Sequence, residues 1–274
     1  MTLLNALLAF LRTKPRGYRR KLVKTLGRCT LFCSSTTRLR AIRNIANALP
    51  DLPVDEIKTL ASEAYANCAF GVAESFWLEQ LEPEIFCDES TLRILQSGSG
   101  ACIATMHLGC YEAVPLAVQR FTEQSVTLTN IPTFINDGIA FYTKANIIAI
   151  DKNSPSAFAE LIKHSNNNAY ISLHCDLWAN EFCVNFFQQQ TKAPAGVALL
   201  AKLSKKPLLL GYAVYQKNYQ IQVFFETIDQ NTPHQSQVTV EQLMQKIYHR
   251  FEQIIRKHPE QWYWSYKRWR KLSC

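Results

Sequence analysis

The residues of this 274-residue chain best suited to chemistry are His107 and Glu112, which share the stretch ACIATMHLGCYEAVPLAVQ from Ala101 to Gln119. A histidine working near neutrality removes a proton from a hydroxyl, and a carboxylate bonded to its other ring nitrogen fixes the tautomer and stabilises the cation that forms. That pair suits acyl transfer to a hydroxyl. The motif contains no serine nucleophile, and Cys110 reads as a small buried hydrophobe. The acceptor is therefore expected to attack an activated acyl group directly, with His107 as general base and Glu112 as the carboxylate that orients it.

The His-x4-Glu spacing is weak by itself and gains from its surroundings. Cys102 to Met106 is an apolar run after the turn-forming Gly98-Ser99-Gly100, so it reads as a buried strand with His107 at its carboxyl end. From about Cys110 the apolar residues Val114, Ala117, Val118 and Phe121 recur at helical spacing. This puts Glu112 in a first helical turn, where the helix dipole favours a carboxylate. Ligands of α/β sheets collect beyond the carboxyl ends of strands. A second polar strand end, His174-Cys175-Asp176, follows the apolar run Ala169 to Leu173; an ordinary loop histidine is an equal reading of His174.

The elements that must position these residues alternate in type. Helical patterns cover Arg38 to Pro50, Pro53 towards Leu81 (with Ile57, Leu60, Ala61, Ala64, Cys68, Val72 and Phe76 inward), Ala157 to His164, Pro194 to Leu203 and Val240 to Lys257. Strand patterns cover Ser125 to Leu128, Ile147 to Ile150, Ala169 to Leu173, Leu208 to Tyr215 and Tyr219 to Glu226. Val184 to Gln190 leads into the Pro194 helix without a pattern of its own. The order predicts an α/β fold: a mixed, largely parallel central sheet flanked by helices, with an N-terminal helical layer.

Charge is unevenly distributed within a net of +8. Eleven cations, from Arg12 to Arg43, precede the first acidic residue, Asp51, and Lys267, Arg268, Arg270 and Lys271 close the chain among aromatic residues. Such ends attract anionic lipid, acidic proteins or nucleic acid; with no nucleic-acid motif, none is expected as partner. Met1 to Leu11 is apolar but falls short of the roughly 20 residues that span a bilayer. Its leucines at positions 3, 4, 7, 8 and 11 share one helical face, which lies on a membrane surface or packs against the chain's own domain. The reading divides the chain into a basic, amphipathic membrane-surface segment over 1–37 and one catalytic domain over 38–274. Nine cysteines without paired CxxC spacing suggest reduced thiols and no metal site.

Several blocks together resemble the lipid A biosynthesis (lauroyl/myristoyl) acyltransferase family, a branch of the lysophospholipid-acyltransferase-like superfamily. They are RNIANALP at Arg43 to Pro50, His107-x4-Glu112, the segment from Phe186 to Leu209, and HPEQWYWSYKRW from His258 to Trp269. The resemblance implies transfer of a fatty acyl chain from acyl carrier protein, or another acyl thioester, to a hydroxyl of a glycolipid such as a lipid A precursor. It implies a peripheral or monotopic enzyme at the cytoplasmic face of the bacterial inner membrane, with no cofactor. It also places Lys144 where the family tends to carry an arginine that binds the polar substrate or the developing oxyanion, and His174 and Asp176 where it shows an Asp-x-Asp pair; all three are expected to bind the polar substrate. The chain departs from the family pattern at Lys144, His174, Thr129 (a usual arginine) and Tyr266 (a common histidine). Those departures leave a phospholipid, another glycolipid or a hydroxylated polyketide-like lipid open as acceptor. A non-catalytic basic protein that binds membrane or nucleic acid is the alternative of another class.

Overall fold

The apolar runs assemble into a seven-stranded sheet with the order β1-β9-β8-β2-β5-β3-β4. Its strands are β1 (Glu84–Phe86), β2 (Ala101–Thr105), β3 (Ser125–Thr129), β4 (Ile148–Asp151), β5 (Tyr170–His174), β8 (Leu208–Tyr215) and β9 (Ile221–Asp229). β6 (Phe182–Phe186) and β7 (Gln189–Ala193) form a separate antiparallel hairpin. The computed structural model describes residues 3–130, 138–231 and 238–270, without the side chains of 3–5 and 138. Lys271, and Leu3 and Leu4 as members of an apolar face, therefore lie outside the described residues. Neighbouring strands run parallel except for the β8–β9 pair.

β2 lies near the middle of the sheet, and all five of its residues are buried. Successive side chains of a strand point to opposite faces, so β2 serves two cores. Cys102 and Ala104 join the core that takes in α8 (Ala157–Asn166), α9 (Gly196–Ser204) and α10 (Val240–Lys257). Ala101 and Ile103 join the one that holds Val114 of α6 (Ala113–Val118) and Phe70 of α4 (Val54–Glu74). A strand covered on both faces reads as a continuous apolar run, which is how this one reads. α10 begins as its sequence predicts, at a capping box in which the Thr239 side chain accepts from Gln242 N–H and the Gln242 side chain accepts from Thr239 N–H.

The structure differs from the pattern reading at several points, among them helices over Arg16–Cys33 and Glu89–Gln96 and a short strand over Glu84–Phe86 that carried no pattern. The inward helix expected to run towards Leu81 gives way after Glu74 to a 3₁₀ segment, Ser75–Gln80, in which Trp77 leaves helical geometry; Val72 faces outward, 42% exposed. The β6–β7 hairpin turns on Phe187 and Gln188, both at positive φ (51° and 59°). Two-residue turns of that kind usually announce themselves as Asn-Gly or Asp-Gly. Phe-Gln gives no such signal.

The N-terminal layer consists of α1 (Leu3–Arg12), α2 (Arg16–Cys33) and α3 (Ser35–Ala48), followed by α5 (Glu89–Gln96) beyond α4. Several cations of the basic run are internal braces to α4 and the segment after it. Arg16 pairs with Glu74 at 2.5 Å, Arg28 with Glu63 at 2.6 Å and Arg12 with Glu79 at 2.6 Å. The buried Lys24 ammonium donates to Asn67 and Tyr219. Leu11 packs with Ala73 and Trp77, whereas Leu7 and Phe10 are 46% and 51% exposed. No helix among the described residues is long and apolar enough to cross a membrane.

Candidate active site

The register between two strands assembles the site. β2 and β5 pair in parallel with Thr105 opposite His174, so residues two positions further along, His107 and Asp176, emerge side by side at the same sheet edge. His107 Nδ1 and Asp176 Oδ1 are 2.7 Å apart. The other carboxylate oxygen, Oδ2, accepts from the His107 backbone N–H at 3.0 Å and from the Trp262 indole N–H at 2.9 Å.

Burial and charge act against each other in this pair. Burial pulls the His107 pKa down, but the Asp176 charge and hydrogen bond, with a smaller contribution from Glu112, raise it above its ordinary 6.5. Burial pushes the Asp176 carboxyl up, yet the His107 charge, the His107 hydrogen bonds and the Trp262 N–H hold it at about 2. Asp176 is 0% exposed and the His107 side chain 18%. The imidazole is thus the member of the pair that meets incoming molecules. With Nδ1 committed to Asp176, Nε2 is the ring nitrogen left for a hydroxyl.

No hydrogen bond joins Glu112 to His107, although the sequence reading pairs the two; the ring nitrogen Nδ1 is taken by Asp176. Glu112 stands at the N-cap of α6, accepts from Tyr142 O–H at 2.9 Å and lies 3.5 Å from His174 Nε2. The cause is the turn between the two residues. Gly109 sits at φ +56°, where a Cβ would lie 2.6 Å from the Ala213 carbonyl oxygen, and a Cβ on Gly71 would lie 2.2 Å from the Gly109 carbonyl oxygen. The loop is therefore clamped between α4 and β8, and the chain enters α6 with Glu112 directed towards α7 (Gly138–Lys144), which carries Tyr142.

The remaining sequence candidates divide. His174 is in the site: its Nδ1 is hydrogen-bonded to Thr105 Oγ1 and its ring centre lies 4.7 Å from that of His107. Thr129, Tyr142 and Glu112 are joined by hydrogen bonds beside His107, and His174 Nε2 stands 3.5 Å from Glu112 without a hydrogen bond of its own. Asp176, expected to bind the polar substrate, is wholly enclosed and faces His107 instead. Lys144 ends α7 in an exposed position, and among the described residues no hydrogen bond or ion pair joins it to the site. The charge that acts on His107 from the cationic side is Lys152, just past β4. Cys110 is a packed thiol: burial, followed by the nearby Glu74 charge, drives its pKa far up. Trp262 and Tyr142 were not anticipated, since neither lies near the motif in sequence; the aromatic density of QWYW was the one available sign.

A sequence profile of the bacterial lipid A biosynthesis acyltransferases matches residues 1–271. The chain belongs to that family. It is an acyltransferase, and its family acts on lipid substrates. The crystal structure of the 1-acyl-sn-glycerophosphate (LPA) acyltransferase PlsC from Thermotoga maritima is similar to this acyltransferase over 92% of this chain and 100% of that one, at 12% identity and a TM-score of 0.41. No curated protein sequence gave a match.

Proposed function

We propose that this acyltransferase moves a fatty acyl chain from acyl carrier protein, or another acyl thioester, to a hydroxyl of a glycolipid such as a lipid A precursor, at the cytoplasmic face of the inner membrane. The observation that carries the mechanism is the His107–Asp176 pair, an imidazole tied at one nitrogen to a buried carboxylate and partly open at the other end. In this reading His107 Nε2 removes the acceptor's hydroxyl proton as its oxygen attacks the thioester carbonyl. Asp176 stabilises the imidazolium, which returns the proton to the departing thiolate. Glu112 adds negative charge near the imidazole and, with Tyr142 and His174, shapes the polar wall of the acceptor site.

The test is transfer of labelled acyl chains from carrier-protein and coenzyme A thioesters to total bacterial membrane lipid, with mass spectrometry of the product. The expected product is an ester on a glycolipid hydroxyl. Product on lysophospholipid alone would overturn the acceptor; no ester from either donor would overturn the reaction.

Membrane contact in this proposal rests on the N-terminal layer, where Leu7, Phe10, Tyr18, Leu26 and Phe32 are exposed alongside the exposed cations Lys21 and Arg43. Apolar side chains interspersed with cations suit the boundary of an anionic bilayer. Binding to phosphatidylglycerol vesicles is expected to exceed binding to phosphatidylcholine vesicles at low salt. The preference should shrink as the screening length falls from about 30 Å at 0.01 M to about 3 Å at 1 M. Co-sedimentation indifferent to both lipid charge and salt would count against this surface.

A further inference from the structure

The closing block of the chain brings Trp262 to Asp176 from a distance of 86 residues in sequence. The same segment also holds the loop that carries His107: Leu108 and Trp262 form an antiparallel bridge, and Gly109 N–H donates to the Gln261 carbonyl at 3.0 Å. The Gln261 side chain is anchored in turn on β8, accepting from Tyr215 N–H at 2.8 Å and donating to Tyr215 C=O at 2.9 Å. One short segment therefore braces both strand ends that meet at the site. The indole itself is 1% exposed and packed edge-on against Trp264 and Phe186, at ring separations of 4.7 and 5.6 Å, so the direction of its N–H is fixed.

We infer that Trp262 is a positioning residue for the acyl transfer reaction, which selects the carboxylate oxygen that Asp176 presents to His107. This rests on the proposed role of His107 as the base. A carboxylate held by a single donor rotates about its bond to Cβ and exchanges its two oxygens. Here two donors, the His107 backbone N–H and the Trp262 indole N–H, occupy Oδ2. That leaves Oδ1 for His107 Nδ1, 2.7 Å away, where it fixes the tautomer with the proton on Nδ1. Without the indole N–H, Oδ2 keeps one donor and the bond to Nδ1 loosens. The groups whose charge bears on His107 beside Asp176 are Glu112 and Lys152, and the rings of His174, Tyr111 and Tyr263 stand around it. None of these touches the indole N–H, so its removal acts through Asp176.

The experiment replaces Trp262 with benzothienylalanine by nonsense suppression, which keeps the shape of the indole and substitutes sulfur for its N–H. Trp262→Phe, His107→Ala and Asp176→Asn are measured beside it. The expected result for the sulfur isostere is a fall in kcat of about 10- to 100-fold, by analogy with the hydrogen-bond partners of metal-bound histidines, which set ring orientation in the same way. KM should be unchanged, because a residue so enclosed does not touch substrate. The acid limb of kcat/KM should move to lower pH, since a loosened Asp176 raises the His107 pKa less. Trp262→Phe should show the same limb shift along with a lowered Tm. Wild-type kcat and pH profile in the isostere, while His107→Ala and Asp176→Asn are impaired, would overturn the role of Trp262 alone. Full activity in all four variants would overturn the reading of His107 beneath it, and this inference with it.

Discussion

Replacing His107 with alanine is expected to slow acyl transfer by about 10²- to 10⁴-fold, the usual contribution of one positioned proton acceptor. Nδ1 is committed to Asp176, and Nε2 is the nitrogen left for a hydroxyl. The loss should fall on kcat, because the imidazole acts while charge moves and contributes little to holding the lipid. Stability should change too, with a pH dependence that identifies the pair. The depressed Asp176 carboxyl stabilises the fold above its ordinary 3.8, and that contribution is lost as pH falls towards about 2. The raised His107 stabilises the fold below its ordinary 6.5 and loses its contribution as pH climbs through its higher folded value. The two statements describe one ion pair, so the Tm gap between wild type and His107→Ala should be widest between roughly 3.8 and 6.5 and narrow on either side. Equal transfer by both proteins would remove the imidazole from the mechanism, and a gap independent of pH would remove the ion pair from the account of stability.

The neighbourhood of His107 was legible because it depends on local chemistry. The apolar run of β2, the glycine turn before it and the helical spacing after it placed His107 at a strand end, where the structure has it. Its partner was not legible, because the partner is chosen by sheet register. Thr105 opposite His174 brings Asp176 to His107 across 69 residues, and nothing in the spacing of His107 and Glu112 competes with that. Proximity in sequence favoured Glu112; Gly109, clamped against Ala213 and Gly71, turns it away. The terminal block was visible as a signature without a purpose. Its purpose depends on Leu108 and Gly109 pairing with Trp262 and Gln261, a long-range contact that no periodicity encodes. The basic N-terminus is partly illegible for a similar reason: Arg16, Lys24 and Arg28 look like free surface charge until α4 supplies Glu74, Glu63 and Asn67.

The two carboxylates of the site should respond very differently to the same change of one oxygen for nitrogen. Asp176→Asn is expected to lower kcat on the order of 10³- to 10⁴-fold, as happens when the carboxylate behind a catalytic histidine becomes an amide that favours the wrong tautomer. Glu112→Gln should cost far less, because Glu112 reaches His107 only through its field and bonds to Tyr142 instead. The pH profiles separate the two further. Asp176→Asn removes the charge and hydrogen bond that raise the His107 pKa and leaves burial, which lowers it; the acid limb of kcat/KM should therefore move to lower pH. Glu112→Gln removes a smaller raising contribution and should move the limb the same way by less. Tyr142→Phe, which takes away the hydroxyl that Glu112 accepts from, should leave that limb nearly in place, since the Glu112 charge remains. If Glu112→Gln proved the more damaging change and Asp176→Asn nearly silent, the sequence motif would outrank the register as a guide to the catalytic pair. The loop at Gly109 would then have to swing Glu112 across to His107 when substrate binds, against the clamp formed by Gly71 and Ala213.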